Sequence, residues 1–317
     1  MRYRQFVVVQ LAVLLLLPCA SYGQSKSVFT EPGSTLLFDG PDRYVTVGKQ
    51  KLAVQDPLSS IRRGSGLPAL APGGDQVAWG FLLFDHSAYM NHKSVLGVYS
   101  ILDKSWKMFG KFCGGSVGSA TFSPDGTRVA FMAIPTSGDL YWNSQPWVLQ
   151  ILDLATGKLT TIPYPGNVWM NSSLSWSPDG KYLAGQIGGW TYPTQQIVVI
   201  DVESGRGTII AEGMDPSWSP KGDWIAYTDK TRQKCLLIHP DGTGAKVTHV
   251  LHPLFYYHEF RFGVVWSPDE KRFLFNDAHG ILESIIDVKM LDLETGKVTT
   301  KSRNGPAIFG WAHNPKE

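Results

Sequence analysis

Short apolar segments alternate with polar turns along most of the chain, and one pattern recurs in phase. In it, an aromatic residue precedes a turn of Ser, Pro, Asp and Gly, and a short apolar strand follows. Pro fixes φ in the turn and Gly accepts the positive φ that completes it, so each copy predicts strand, turn and strand. A degenerate copy begins at Leu70 and a truncated one at Trp311. The clearest copies span 122–131 (FSPDGTRVAF), 176–185 (WSPDGKYLAG), 218–227 (WSPKGDWIAY) and 266–275 (WSPDEKRFLF).

A second pattern lies between these copies: an apolar strand that ends near Asp, followed by a short polar turn and another strand. This arrangement predicts a β-hairpin. The two patterns together give four strands per unit, and the prolines of successive turns lie 42 to 54 residues apart. Four-stranded units at this spacing are typical of a β-propeller. The clearest hairpins are 151–158 (ILDLATGK), 200–205 (IDVESG) and 290–297 (MLDLETGK), with looser versions at 101–105 and 238–244.

The WSPDG turn and the DLxTG hairpin together resemble the PD40 repeat of the TolB-like, or WD40-like, β-propeller family. With six copies of the turn motif counted along the chain, we expect an all-β, six-bladed β-propeller of four-stranded antiparallel blades at 35–317. The last blade would be closed by the C-terminal strand around Trp311 and by N-terminal strands at 36–38, 44–47 and 51–54. Such closure removes exposed sheet edges. Propellers of this kind serve many roles, so the resemblance predicts the fold and leaves the function open.

The first residues have the features of a secretory signal peptide at 1–23. Arg2 and Arg4 supply the positive charge, an apolar run follows at 6–17, and small residues surround a cleavage point after Gly23. The apolar run is too short to span a bilayer, since a spanning helix needs about 20 residues. We therefore expect a periplasmic or secreted protein with no membrane span, with a short linker at 24–34 before the propeller.

The composition of the chain argues against nucleic acid as a partner. Charged residues make up 18% of the chain and the formal net charge is +2, so the clustered basic stripe of a nucleic-acid-binding protein is not expected.

Cys113 and Cys235 fall in nearly opposite units of the repeat, too far apart for a disulfide bond. Both are expected to be buried free thiols.

The connectivity of such a propeller places the Ser-Pro-Asp-Gly turns and the Thr-Gly hairpins on one face, and the remaining loops on the other. These remaining loops are long and rich in aromatic residues, and loops on a rigid scaffold are where function concentrates. Aromatic rings give a large contact area at low entropic cost, although each ring could instead pack one loop against another. The predicted ligand-binding residues are Arg62, Tyr141, Trp142, Trp169, Trp190, Tyr192, Tyr256 and Tyr257.

Several histidines map to the same loops and offer an alternative. His86, His252 and His258 could converge on a divalent metal, but no tight ligand spacing on a regular element supports such a site. No nucleophile elbow, phosphate loop or dinucleotide fingerprint occurs. The sequence favours an exported, non-catalytic binding or scaffold module for a protein, peptide or glycan, without a cofactor. The alternatives are a metal-dependent polysaccharide lyase or hydrolase with its site in the funnel, and a purely structural envelope component.

Overall fold

All regular elements that the computed structural model describes are β-strands, as the alternating pattern predicts. Four strands precede the first complete repeat unit, and one strand follows the last. The described residues are 34–38, 44–47, 50–53, 61–63, 68–73, 75–83, 93–100, 102–113, 117–118, 120–135, 147–164, 173–188, 195–229, 234–250, 264–279, 285–302 and 308–313. The strands before the first unit are β1 (Ser34–Phe38), β2 (Tyr44–Val47), β3 (Gln50–Ala53) and β4 (Ile61–Arg63).

The repeat units fold into five four-stranded blades. The first blade contains β5 (Ala69–Leu70), β6 (Gln76–Leu83), β7 (Lys93–Ser100) and β8 (Ser105–Cys113). The second contains β9 (Ala120–Phe122), β10 (Arg128–Pro135), β11 (Val148–Asp153) and β12 (Leu159–Ile162). The third contains β13 (Leu174–Trp176), β14 (Tyr182–Ile187), β15 (Gln196–Asp201) and β16 (Gly207–Glu212). The fourth contains β17 (Met214–Trp218), β18 (Ile225–Thr228), β19 (Lys234–Ile238) and β20 (Lys246–Val250). The fifth contains β21 (Val265–Trp266), β22 (Arg272–His279), β23 (Ile285–Asp292) and β24 (Val298–Ser302), after which comes β25 (Ile308–His313).

Within each blade the strands pair antiparallel in chain order, from the strand before the turn motif to the strand after the hairpin. Two further pairings link to the first blade: β4 pairs with β6, and the end of β10 pairs with β8. The first strands of successive blades contact one another, β5 with β9, β9 with β13, and β13 with β17. The blades are therefore arranged radially, with their first strands innermost.

The prediction of six four-stranded blades is wrong, because the described strands form five. At the place of the predicted sixth blade, β1 pairs with β25 in a two-stranded sheet, and β2 and β3 pair with each other in a second. The physical reason lies in the sequence of this region. It carries neither the Ser-Pro-Asp-Gly turn nor the Thr-Gly hairpin, so nothing fixes its strands in one four-stranded register.

The predicted pairing of the two chain ends is confirmed. Leu36 in β1 lies opposite Trp311 in β25, and the register runs from Ser34 with His313 to Phe38 with Ile308. Strand β25 also contacts the innermost strands β5 and β21. The two-stranded sheet of the chain ends therefore lies between the first and the fifth blade.

Apolar side chains fill the seams between neighbouring blades, and two tryptophans of the turn motif form hydrogen bonds across them. The indole N–H of Trp176 donates to the Thr121 carbonyl of the preceding blade at 3.2 Å. Trp266 makes the equivalent bond to the Ser217 carbonyl at 3.1 Å. Apolar clusters fill the seams, for example Met132, Leu149 and Trp176 between the second and third blades. Ile197, Trp218, Ile225 and Tyr227 pack in the same way between the third and fourth. The repeated aromatic residue is therefore a structural element of the seam.

The serine and the aspartate of the turn motif hold its backbone. In the third blade, the Ser177 hydroxyl donates to Asp179 Oδ1 at 2.6 Å and accepts the Tyr182 N–H at 2.9 Å. The same two bonds occur in the second and fifth blades. In the hairpins, Asp153 accepts the N–H and the hydroxyl of Thr156 in the same manner. These aspartates therefore stabilise the turns.

These hydrogen bonds predict loss of stability in acid. The serine hydroxyl bonds lower the pKa values of Asp125 and Asp179, and the threonine bonds lower that of Asp153. A carboxyl group whose pKa is lowered by folding stabilises the protein at pH values above its pKa in the unfolded chain, which is about 3.9. This stabilisation is lost as the pH falls through the pKa of the folded state. We expect the melting temperature to be constant near neutral pH and to fall below about pH 4.

Circular-dichroism melts between pH 7 and pH 2.5 measure this effect. The variant Asp125→Asn/Asp179→Asn should melt lower than the parent at pH 7 and lose less on acidification. Asp223→Asn, which changes an exposed aspartate outside these bonds, should follow the parent curve. An acid loss that is equally steep in the double variant would contradict this account.

Two departures from the turn motif contact each other. Lys221 replaces the usual aspartate in the fourth blade, and Glu270 replaces the usual glycine in the fifth. The Glu270 carboxylate accepts the backbone N–H of Lys221 and lies 3.9 Å from its ammonium nitrogen. Glu270 adopts a φ of 58°, in the left-handed region that glycine would otherwise occupy. The two substitutions thus join neighbouring turns across a seam.

Cys235 is a buried free thiol, as predicted, and burial raises its pKa to about 12. At neutral pH the thiol is therefore protonated and poorly nucleophilic. The side chain of Cys113 lies outside the described part of the chain. Among the residues that the structure describes, no helix is long and apolar enough to cross a membrane.

Candidate functional site

The strand directions divide the connections of the propeller between two faces. The turn motifs join the first strand of each blade to the second, and the hairpins join the third to the fourth. Because neighbouring strands are antiparallel, both kinds of connection lie on the same face, which we name the turn face. The links between second and third strands, and those between blades, leave from the opposite ends. We name that opposite side the loop face.

The sequence assigned the predicted ligand-binding residues to loops of the loop face. Arg62 instead lies in strand β4, where its backbone pairs with Leu82. The predicted aromatic residues Tyr141, Trp142, Trp169, Trp190, Tyr192, Tyr256 and Tyr257 all lie outside the described residues. The same holds for the alternative metal ligands His86, His252 and His258. These assignments therefore remain predictions.

Hydrogen bonds join three polar residues at the loop-face end of the seam between the third and fourth blades, and a fourth, Gln195, immediately precedes the strand whose Ile197 pairs with one of them, Gln186. Ser173, Gln186 and Gln195 belong to the third blade or its borders, and Asp215 lies in the innermost strand of the fourth. The Ser173 hydroxyl donates to Asp215 Oδ1 at 2.8 Å, and the Asp215 N–H donates to Gln186 Oε1 at 3.3 Å. We call these four residues the seam cluster.

Asp215 has an unusual backbone conformation for its position in a strand. Its φ is 54°, in the left-handed region that few non-glycine residues adopt, and a bulge interrupts β17 between Met214 and Ser217. The residue is also buried, with 7% of its surface exposed. A buried carboxyl group in a left-handed conformation is the kind of strained position that occurs at functional sites.

Gly213 makes this conformation possible. It has a φ of 157°, and its N–H donates to the Gln195 carbonyl at 3.0 Å. A Cβ atom at this position would contact the carbonyl oxygen of Thr228 and would lie 2.6 Å from a ring carbon of Tyr227. The close approach of these backbones therefore requires glycine.

Gln195 contributes a buried acceptor without a partner. It is 9% exposed, and its Oε1 atom accepts no hydrogen bond within the described structure. Side chains two residues apart on a strand point to the same side, so Gln195 shares the side of Ile197. Ile197 packs in the apolar cluster between the third and fourth blades. Its cross-strand partner is Gln186, so both carboxamides face this seam.

Tyr164 supports the cluster from the neighbouring seam. Its hydroxyl donates to the Gln186 carbonyl at 3.1 Å. Burial raises the pKa of Tyr164 well above its usual value, so the hydroxyl stays protonated and keeps donating at all ordinary pH values. The strand end that carries Gln186 is therefore fixed from the side opposite to Asp215.

The sequence carries a signal for two of these residues in its repeat. Ser173 and Asp215 both lie three residues before the tryptophan of their turn motif, so they occupy one position of the repeat in adjacent blades. The same position holds Ser119 in the second unit and Gly263 in the fifth. Asp215 is the one acidic residue at this position among these four units. Nothing in the local sequence indicates Gln186 or Gln195.

The described residues include no group of three or more His, Cys, Asp and Glu residues that could hold a metal ion. The seam cluster has a single carboxylate, with two carboxamides and one hydroxyl. Such a set offers hydrogen bonds to a ligand, and it lacks the several charged ligands that a divalent cation prefers. The metal site predicted as an alternative rests on histidines outside this part of the chain.

Comparison with known proteins supports the fold. No family model and no curated protein matches the sequence. Among solved structures, TolB from Acinetobacter baumannii is 16% identical, with a TM-score of 0.62, over 90% of this chain and 67% of that one. A chain of a nidogen/laminin complex is 13% identical, with a TM-score of 0.58, over 88% of this chain and 98% of that one. An oligogalacturonate lyase in complex with manganese has a TM-score of only 0.49, which is too low to bear on the activity. The chain has the TolB-like β-propeller fold.

Proposed function

We propose that this TolB-like β-propeller is an exported, non-catalytic binding module that holds a protein, peptide or glycan ligand on its loop face. The observation that carries the proposal is the seam cluster. A strained, buried aspartate and a buried amide oxygen without a partner lie together at the loop-face end of a seam. Groups of this kind reduce stability, and their retention is understood if they serve recognition.

The chemistry of the seam cluster favours binding over catalysis. The side chains of the seam cluster donate and accept hydrogen bonds, and the cluster has no second carboxylate or imidazole for proton transfer. The related chain in the nidogen/laminin structure comes from a complex between proteins, which agrees with a propeller used for recognition. Localisation follows from the predicted signal peptide at 1–23, whose removal would leave Gln24 at the N-terminus of the exported protein.

Aromatic residues predicted for the loop face extend the proposed site. The segment with Trp190 and Tyr192 joins Gly188 to Gln195, and the segment with Trp169 ends immediately before Ser173. Chain connectivity therefore attaches three of the predicted aromatic residues to the seam cluster. We propose that their rings supply contact area beside the polar groups, as in other recognition surfaces.

A binding screen with variants of both faces tests the proposal. The protein from Gln24 onward is screened against glycan and peptide arrays, and the dissociation constant of the best ligand is measured by calorimetry. We expect Trp190→Ala/Tyr192→Ala to weaken binding about 100-fold, since aromatic residues at binding hot spots each contribute about 2 kcal/mol or more. Leu102→Ala removes a side chain that is 81% exposed on the turn face and should leave the constant unchanged.

Three results would contradict the proposed function. Binding that depends on Leu102 and not on the loop-face residues would place the site on the wrong face. If no ligand binds on either array, the proposed binding role is contradicted. Cleavage of a bound glycan, together with a stoichiometric metal in elemental analysis, would support the lyase or hydrolase instead.

A further inference from the structure

The seam cluster has a chemistry more specific than a general binding surface. We infer that it binds neighbouring hydroxyl groups of a carbohydrate, so that the ligand of the loop face is a glycan. This inference rests on the proposed function and narrows its ligand class. Three features of the cluster support it: an open acceptor, the kinds of polar group present, and their depth in the seam.

The open acceptor requires a donor from outside the cluster. Gln195 Oε1 is buried and accepts no hydrogen bond within the described structure. A buried acceptor in this state is costly, and most such groups in folded proteins have a protein or ligand partner. A ligand that brings an O–H or N–H group to this position satisfies it. Phosphate and carboxylate ligands only accept hydrogen bonds, and the carboxyl group of Asp215 would repel them.

The kinds of polar group fit hydroxyls best. The cluster contains a carboxyl group, two carboxamides and a serine hydroxyl, so it has both acceptors and donors. A sugar hydroxyl can donate to the carboxyl or carboxamide oxygen and accept from an amide N–H at the same time. An extended peptide, in contrast, is recognised chiefly through backbone bonds to a free sheet edge. The groups of this cluster are side chains that converge from two blades, which favours the carbohydrate.

The four residues of the cluster differ in burial. Asp215 and Gln195 are buried, whereas Ser173 and Gln186 are partly exposed. Ser173 and Gln186 also hold Asp215 through the two hydrogen bonds described above. Binding of this kind requires that a hydroxyl pair enter between Ser173 and Gln186 to reach Gln195 Oε1 and the Asp215 carboxyl group.

Two nearly isosteric variants test the inference on the full mature chain. Gln195→Met removes the buried carboxamide and keeps the length of the side chain. Asp215→Asn removes the charge and suits the left-handed conformation, which asparagine tolerates. The control is Gln150→Met. Gln150 is also a buried glutamine, but it lies in the second blade and donates to Thr161 Oγ1 at 2.8 Å.

We expect each seam variant to raise the dissociation constant of the array-identified glycan at least tenfold, as the loss of one buried hydrogen bond to a ligand would. Gln195→Met should also raise the melting temperature by about 2 °C, because it removes an unsatisfied acceptor. Gln150→Met should lower the melting temperature and leave the dissociation constant within about twofold of the parent. A purely structural glutamine would not combine weaker binding with higher stability.

The outcomes separate this inference from the proposed function. Glycan binding that is unchanged in both seam variants overturns the inference and leaves the proposed function standing. Binding of peptides and of no glycan, with dependence on loop-face residues, likewise overturns only the ligand class. Absence of any ligand overturns both. Loss of binding in both seam variants, with the control unaffected, supports both.

Discussion

Replacing Gly213 with alanine should destabilise the protein by about 3 kcal/mol, since forcing a side chain into a filled space typically costs 1–3 kcal/mol and the backbone strain adds to it. The new Cβ atom would meet the Thr228 carbonyl oxygen and a Tyr227 ring carbon. Both belong to β18, the strand beside β17, so the contact cannot be relieved by rotating an exposed side chain. Relief requires β17 to move away from β18.

Such a movement would also displace the seam cluster. Gly213 bonds to the Gln195 carbonyl and lies two residues before Asp215. We therefore expect Gly213→Ala to weaken ligand binding more than any single seam variant. Urea denaturation measures the first effect, and calorimetric titration at a temperature where the variant is folded measures the second.

Gly296→Ala is the matched control for this substitution. Gly296 has a φ of 68° and its added Cβ atom would have no neighbour within 4 Å. Its cost should be limited to the left-handed conformation, about 1 kcal/mol, and binding should not change. Equal losses of stability in the two variants would show that the close approach at Gly213 is not what limits this position.

Truncation after Gly305, which removes β25, should abolish cooperative folding. Strand β25 pairs with β1 along its length and packs against the innermost strands β5 and β21. Its removal deprives β1 of the strand it pairs with and opens an edge on either side of the gap. A domain is stable by only about 5–15 kcal/mol in total, so we expect the loss of a whole strand to exceed what the fold can tolerate, and open sheet edges promote aggregation.

Size-exclusion chromatography with light scattering, together with thermal melts, checks this expectation. A second truncation after His313 removes only residues 314–317 and serves as the control, with a melt like that of the full chain. A chain that lacks β25 and still melts cooperatively within about 2 °C of the full chain would show that the ring does not depend on the pairing of its ends. A shift of this size corresponds to less than about 2 kcal/mol.

The repeated turn and hairpin motifs made most of the fold predictable. Their chemistry is local: Ser177, Pro178, Asp179 and Gly180 define a turn through contacts within five residues, so the same letters give the same structure in each copy. The pairing of Leu36 with Trp311 could be predicted as well, because an incomplete unit at each end of the chain must pair with the other to close the ring. The number of strands in each blade and the face on which each kind of connection lies follow from these two features.

The number of blades was not predictable by the same reasoning. The six-blade prediction counted motif positions and assumed that Tyr44–Val47 and Gln50–Ala53 would join the sheet of β1 and β25. Those strands carry no turn motif that dictates their partners. Hydrogen bonding between distant strands depends on packing across the whole ring, which local sequence does not record.

The seam cluster was missed for a related reason. Ser173, Gln186, Gln195 and Asp215 come from four separate positions in the chain and meet only because two blades pack together. The positive φ of Asp215 is also unexpected, since the residue lies between Met214 and Pro216 in a segment that reads as a strand. Only the repeat position shared by Ser173 and Asp215 hinted at a special residue.

Amide hydrogen exchange with and without the array-identified ligand tests most directly whether the loop face is the binding face. The ligand should slow exchange in the peptides that contain 186–188, 195–197 and 213–215, at the loop-face end of the seam. Peptides of the turn face, such as 154–158 and 293–297, should exchange at unchanged rates. Protection confined to the turn-face peptides would contradict the assignment of the site and the function built on it.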